Sequence, residues 1–321
     1  MAPAAGCGPD MRTLAAGLTE PRGLAIGPDG ALYVAETGSD EAGGRIIRID
    51  VDGRVAAVAG GFPVFIHAYA ERVGIAALAF RAGELYAVQG EGPSALASRL
   101  LRVRPDGTVQ AVVNLKDFLR TLDPLASIAP NPYPQVSSNP FALAHSAVTD
   151  VFYVVDSGAN AVLGVTPAGH AGLVYQWTDN PVPTGLALGP DGALYVTLFS
   201  PYPYARGRGS VARLTPAGQV SPVVIGLTTP IGVAFDSQGR MFVLEFSGGA
   251  DPAGPEGMTP GSGRLLQIEG ATRRVVVDHL AFPTALTIGP RDEIYLTLGG
   301  GLSAPGTGSI LRIEPCAQAR R

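Results

Sequence analysis

The sequence predicts an all-β protein, a six-bladed β-propeller with four antiparallel strands in each blade. Three observations carry that expectation. Two distant segments, PRGLAIGPDGALYVAE from Pro21 and PTGLALGPDGALYVTL from Pro183, share nearly the same interior. Their strand–turn–strand pattern recurs six times, with first strands opening 54, 65, 43, 47 and 53 residues apart. The last unit lacks a fourth strand, while the N-terminus has a strand to spare. Four strands repeated about every 50 residues is how a propeller blade reads in sequence.

The elements follow in order. A closing strand is expected over residues 10–17, and blades over approximately 18–60, 74–115, 139–177, 182–227, 228–280 and 281–316. Each blade opens with a short apolar strand: Leu24-Ala25-Ile26, Leu78-Ala79-Phe80, Leu143-Ala144-His145, Leu186-Ala187-Leu188, Val233-Ala234-Phe235 and Leu286-Thr287-Ile288. In the first blade Gly27-Pro28-Asp29-Gly30 then makes a tight turn. Proline presets its own φ, aspartate bonds the local backbone and glycine accepts positive φ. Second strands carry an aromatic residue (LYVAE, LYAVQ, FYVVD, LYVTL, MFVLE, IYLTL). Third strands cover Arg45–Asp50, Leu100–Arg104, Val162–Thr166, Val211–Thr215, Leu265–Glu269 and Ile310–Glu314. Fourth strands, such as Val109–Val113, follow another short turn. The sixth unit stops at Pro315-Cys316, so Met11–Ala15 is expected to complete it and close the ring, removing an exposed sheet edge.

That closure brings Cys7 and Cys316 to the place where other blades turn from strand three to strand four. A disulfide there would replace the missing turn, contribute about 4–5 kcal/mol in the chain-entropy model and imply an oxidising compartment. Two free terminal thiols are the alternative.

Composition bounds the function. The 321 residues contain 46% apolar residues, enough for a large core, and 43 glycines with 28 prolines placed as turn punctuation. A net charge of -4 gives no basic footprint, so nucleic acid is not an expected partner. No apolar run reaches the roughly 18 residues that span a bilayer. Met1–Asp10 has neither a basic start nor an apolar stretch, so no intact signal peptide is read there. The chain has no HExxH, CxxC, GxSxG or GxxxxGK motif. GRGRG around Gly207 lacks the strand-to-helix context of a phosphate loop. Asp50-Val51-Asp52-Gly53 reads as a hairpin turn.

The motifs PRGLAIGPDGALYVAETG, GGRIIRIDVDGRVAAVAGG and NPFALAHSAVTDVFYVVDSGANAVLGVTPAG resemble the ScyD/ScyE family over essentially the whole chain. That bacterial group of NHL-type propellers, often exported, is named for proteins of scytonemin biosynthesis. The resemblance implies the propeller, an extracellular or periplasmic location and no defined chemistry. More distantly the architecture looks like gluconolactonase/senescence-marker lactonases and strictosidine-synthase-type propellers. Those lactonases bind a divalent metal through Glu, Asn and Asp placed just before a glycine on innermost strands. The matching positions here are Arg22, Ile75, Phe141, Thr184, Ile231 and Thr284, none a carboxylate or an amide. Hard cations need several oxygen ligands, so neither that metal site nor any cofactor is expected.

Variation between the repeats points to one face. Turns joining strands one–two and three–four are uniformly tight. The other connections hold every long insertion: Gly60–Gly74, Asn114–Asn139, Phe199–Gly209, Ser247–Gly263 and Gly299–Gly308. Loops on a rigid scaffold are where binding concentrates, so this face is expected to take a small molecule or a protein partner. Second strands end there in Glu36, Gln89, Asp156, Leu198, Glu245 and Leu298.

One reading makes Glu36, Asp156 and Glu245, from alternate blades, a polar ring at the channel mouth. With Arg22, Gln89, Thr184 and Thr284 it could bind a cationic or hydroxylated ligand. It could also do acid–base work in a metal-independent hydrolase, lyase or cyclase, or in a lactonase-like enzyme with a divergent site. The competing reading makes each carboxylate a strand-end cap bonded to loop amides. Arg22 is read either as a partner of Glu36 or as a contact for an anion. Tyr133, Trp177, Asp179, Tyr202, Tyr204, Arg206 and Arg208 fit either a contact surface or loop anchors. Of the histidines, His145 stands in an apolar register, His170 in a plain-face turn and His279 at an outer strand end. Only His67, in a loop with Glu71, is placed to reach a site.

Overall fold

The computed structural model describes residues 10–67, 71–122, 137–215, 217–251, 253–254 and 257–314. They form six four-stranded antiparallel sheets arranged in a ring, with one short helix. Cys7, Cys316 and Tyr133 lie outside the described residues.

Blade one is Pro21–Ile26, Leu32–Glu36, Gly44–Ile49 and Val55–Phe62, and blade four is Pro183–Leu188, Leu194–Leu198, Gly209–Leu214 and Val220–Leu227. Contacts between innermost strands run from each blade to the next and from the sixth back to the first, which sets blades one and four opposite each other. The sixth sheet holds Leu286–Ile288, Ile294–Leu298 and Gly308–Glu314, and its outer strand is Asp10–Leu18. The closing pair runs antiparallel from Asp10 opposite Glu314 to Leu18 opposite Gly308.

The shared interior of the two similar segments has a packing reason. At the axis, neighbouring innermost strands nearly touch: a Cβ on Gly23 would come 2.6 Å from the Ala76 carbonyl oxygen, and one on Gly185 2.6 Å from that of Ile231. Real Cβ atoms do not tolerate such contacts, so the glycine of the xGLA motif lets the ring close tightly. The turn is tied in the same way in both blades. Asp29 Oδ1 accepts from the Ala31 amide, while Oδ2 accepts from Arg48 Nε (2.7 Å) and Tyr33 Oη (3.3 Å). Asp191 repeats this with Ala193, Arg213 Nε (2.6 Å) and Tyr195 Oη (3.3 Å). Gly30 and Gly192 sit at φ +77 and +74, which a side chain would resist.

Apolar clusters fill the spaces between adjacent blades, as with Ile46, Phe62, Leu78, Ala87 and Leu101 between blades one and two. Two elements lie inside insertions that the sequence pattern left without regular structure. Leu115–Thr121 is a helix capped by Asn114, whose Oδ1 accepts from the Asp117 amide. Phe65–Ile66 pairs with Arg72–Val73 as a small hairpin. Among the described residues no helix is long and apolar enough to cross a membrane.

Candidate functional site

A cavity of about 400 Å³ opens on the loop-rich face above the central channel. Its floor is the ring of residues that start the innermost strands. Arg22, Phe141, Thr184, Ile231 and Thr284 line both the cavity and the channel beneath it. Below that ring the channel is walled by Gly, Ala, Leu and other apolar residues, such as Leu24, Ala76 and Val233.

The wall has three zones. Blades one and two contribute charge: Arg22, Glu71 and Glu91. Blade three and its exit contribute amides and hydroxyls, notably Asn139, Ser157, Asn160 and Asn180. Blades four and five contribute Phe199, Tyr202, Tyr204, Phe246 and Met258. The aromatic rings form a continuous ladder, with centroids 5.7 Å apart for Tyr202–Tyr204, 5.7 Å for Tyr204–Phe199 and 6.0 Å for Phe199–Phe246. Phe246 stacks in turn on buried Phe282 at 4.9 Å. The two tyrosine contacts are edge-to-face, and together these ring pairs hold the aromatic side chains in place at the cavity wall.

The charged corner is built around a buried carboxylate. Glu20 accepts from Arg72 Nη1 at 2.9 Å and lies 3.7 Å from Arg22 Nη2, with its own Oε2 left without a hydrogen bond. Burial pushes the Glu20 carboxyl upward, against the pull of Arg22 and Arg72. Arg22 also donates to the Arg72 carbonyl (2.7 Å) and approaches Glu71 Oε1 at 3.9 Å, not Glu36. Its Nε is buried and unbonded. Across the corner His67 Nε2 lies 3.1 Å from Glu91 Oε1.

The three candidate carboxylates are turned elsewhere. Glu36 Oε1 accepts from the Thr19 amide (2.7 Å) and Oε2 from Arg45 Nε (2.6 Å). Glu245 makes the same clasp with the Thr228 amide (2.6 Å) and Arg264. Arg45 and Arg264 stand directly opposite these glutamates on the third strands. Blade three has Ala161 at that place, and Asp156 accepts instead from Ser138 Oγ (2.6 Å) and the Asn139 and Ala159 amides (2.8 and 3.0 Å). Asp156 is fully buried, and that burial raises its carboxyl to about 6 despite these three bonds. Glu36 and Glu245 are equally hidden. None of the three lines the cavity; each ties a strand end to the segment entering its blade. Gln89 is likewise buried, donating to the Pro63 carbonyl at 2.9 Å.

Of the ring proposed from sequence, then, Arg22, Thr184 and Thr284 face the cavity. Both threonines are already bonded: Thr184 Oγ1 to Thr197 Oγ1 (3.0 Å) and the Pro230 carbonyl (3.0 Å), and Thr284 Oγ1 to Thr297 Oγ1 (2.8 Å) and the Pro21 carbonyl (2.9 Å). Tyr202 and Tyr204 line the cavity, whereas Trp177 is buried against Tyr175 as an anchor, and Asp179, Arg206 and Arg208 are not in the lining. His145 is largely buried, 3.0 Å from Asp150 and packed on Phe152. Sequence reasoning missed Glu20, Glu91, the asparagines and the ladder residues Phe199 and Phe246. A signal existed for the last two, because each directly follows the end of a second strand.

No protein-family model matches the chain, and no curated protein does. Solved structures share its fold. A putative oxidoreductase (glucose dehydrogenase) of Thermus thermophilus is 19% identical with a TM-score of 0.66, over 95% of this chain and 100% of that one. A gluconolactonase of Xanthomonas campestris is 14% identical, TM-score 0.60, over 95% and 89%. Virginiamycin B lyase of Staphylococcus aureus is 15% identical, TM-score 0.55, over 94% and 87%. At these identities the likeness concerns architecture, and one propeller hosts many chemistries.

The divalent-metal site of the lactonases does not fit this ring. Two of its six positions are threonines whose hydroxyls are committed to neighbours, one is a guanidinium and three are apolar. Among the described residues no group of three His, Cys, Asp or Glu side chains is placed to hold a metal ion.

Proposed function

We propose that the protein is an exported binding propeller of the ScyD/ScyE type that takes a small molecule in the loop-face cavity. The observation carrying this reading is the division of labour between the carboxylates and the cavity wall. Glu36, Asp156 and Glu245 commit their oxygens to strand-end clasps, while the wall offers aromatic faces, amides and a charged corner suited to recognition. Export follows the family resemblance, and it suits the Cys7–Cys316 bridge proposed from ring closure, which needs an oxidising compartment. Intact mass measured with and without reductant decides that bridge: a gain of about 2 Da on reduction is expected.

The binding reading is tested by thermal unfolding of the wild type, Tyr204→Ala and Phe246→Ala against a library of small organic compounds. A compound at a hundred times its Kd adds about 2.7 kcal/mol to native stability, enough to raise Tm by several degrees. Hits that stabilise the wild type and neither variant support the cavity. Stabilisation that persists in both variants removes it from the cavity.

One observation favours an enzymatic alternative. The His67–Glu91 pair at the cavity edge has the composition of a general base and its orienting carboxylate. A metal-independent hydrolase, lyase or cyclase would run on that pair, and His67→Gln would then abolish turnover while ligand binding persisted.

A further inference from the structure

The cavity's charge is unevenly distributed, and this narrows what it selects. Among the described residues, every charged residue of its lining lies at the corner of blades one and two: Arg22, Glu71 and Glu91. The groups packed behind them are Glu20 and Arg72. In the lining itself one guanidinium, Arg22, thus faces two carboxylates, with His67 beside Glu91. Arg22 is nearly buried and held between Glu20 and Glu71, and Arg72 is drawn back onto Glu20. Glu91 has no guanidinium partner among the described residues, and its side chain keeps 27% of its surface exposed. The corner thus presents a residual negative charge to the cavity. Opposite it stand the rings of the aromatic ladder that line the cavity; aromatic faces attract cations through their quadrupole and accept flat apolar groups.

We infer that the cavity selects amphipathic organic cations: molecules with a planar or apolar body for the Phe199–Tyr204–Phe246 wall and an amine or quaternary ammonium for the Glu71–Glu91 corner. This rests on the cavity being a binding site, and adds to it the sign of the ligand's charge and its orientation. The asparagines between the two ends add recognition along the middle of the molecule. Asn160 is committed, donating to Asn180 Oδ1 at 2.8 Å and accepting from the Val182 amide at 3.0 Å. The Asn180 amide nitrogen has no partner among the described residues and is a donor for a carbonyl or hydroxyl of the ligand.

Two dyes of similar size and opposite charge test the inference. Thioflavin T is a cationic rotor that brightens when immobilised, and 8-anilinonaphthalene-1-sulfonate is an anion that brightens in apolar surroundings. Both are titrated into the wild type, Tyr204→Ala, Glu91→Asp and the double variant Glu71→Gln/Glu91→Gln, each checked for native circular dichroism. The expected result is one thioflavin T site, bound at least about tenfold tighter than the anion. Tyr204→Ala should weaken it, Glu91→Asp should largely retain it, and the double variant should weaken it about tenfold while improving the anion.

Equal or tighter binding of the anion, still dependent on Tyr204, overturns the charge assignment and leaves the binding site standing. Thioflavin T affinity indifferent to the double variant overturns it as well. If neither dye's binding responds to Tyr204→Ala, the cavity reading falls together with the inference.

Discussion

Blades one and four have almost the same sequence in their first two strands and stand opposite each other across the channel, so they form a comparison made by the molecule itself. At the plain face they are superimposable in chemistry: Asp29, Tyr33 and Arg48 in one, Asp191, Tyr195 and Arg213 in the other. At the loop face they part. Blade one ends in Arg22 and Glu36 and supplies one side of the charged corner. Blade four ends in Thr184 and Leu198 and leads directly into the Phe199–Tyr204 ladder. One scaffold thus serves opposite poles of one cavity, because residues at strand tips can change without disturbing the packed interior. The carboxylates show where the energy lies: those of the loop-face clasps are buried, whereas those of the plain-face pairs stay partly exposed.

Four experiments probe the contrast between the two faces. The largest effect belongs to Asp156. Its folded carboxyl holds a proton up to about pH 6, against an ordinary value of 3.8. Between those values the folded state binds more protons than the unfolded one, so stability falls as pH rises from about 4 to 6 and then levels. The full drop amounts to as much as about 3 kcal/mol. Urea unfolding across pH 4–7 should show this slope in the wild type and lose it in Asp156→Asn. Next, Glu36→Ala leaves the Thr19 amide without its acceptor and should cost about 2–3 kcal/mol, read as a lower urea midpoint at unchanged slope.

Thr184→Val removes the hydroxyl that latches blade four to the Pro230 carbonyl of blade five, and Thr284→Val the one that latches blade six to Pro21 of blade one. Each should cost about 1–2 kcal/mol in the same assay. Smallest is the plain-face pair: Asp29→Asn and Asp191→Asn should each cost under about 1 kcal/mol, and the loss should shrink in high salt, since both ion pairs are partly solvated. An Asp29 effect as large as that of Glu36 would erase the distinction between the two faces.

The architecture was legible because it is written in repetition. The xGLA glycines, the GPDG turns and the aromatic second strands each have a steric or hydrogen-bonding cause that acts identically in several blades. Closure by Asp10–Leu18 was legible by subtraction, one strand missing and one spare. The cavity was less so. The period of the repeat identifies strand tips such as Arg22 and Glu36 but is silent on where their side chains turn. Glu36 turns inward because Arg45 faces it across the strand pair and the Thr19 amide needs an acceptor. Both facts depend on register rather than on local pattern. Much of the cavity wall comes from inserted connections, where residues such as Glu71 and Tyr204 have no aligned counterpart in the other blades.

Closure also sets a timetable. Asp10–Leu18 is made well before its partner Gly308–Glu314, with the strands of five blades between them. At typical synthesis rates of about 5–20 residues per second, it waits roughly 15–60 s for that partner. Through that interval a nascent strand with unpaired amides emerges ahead of five complete blades. Most of its residues stay exposed even in the finished ring. The ring's weakest moment therefore precedes its completion, because the strand that comes before blade one can pair only once blade six is made.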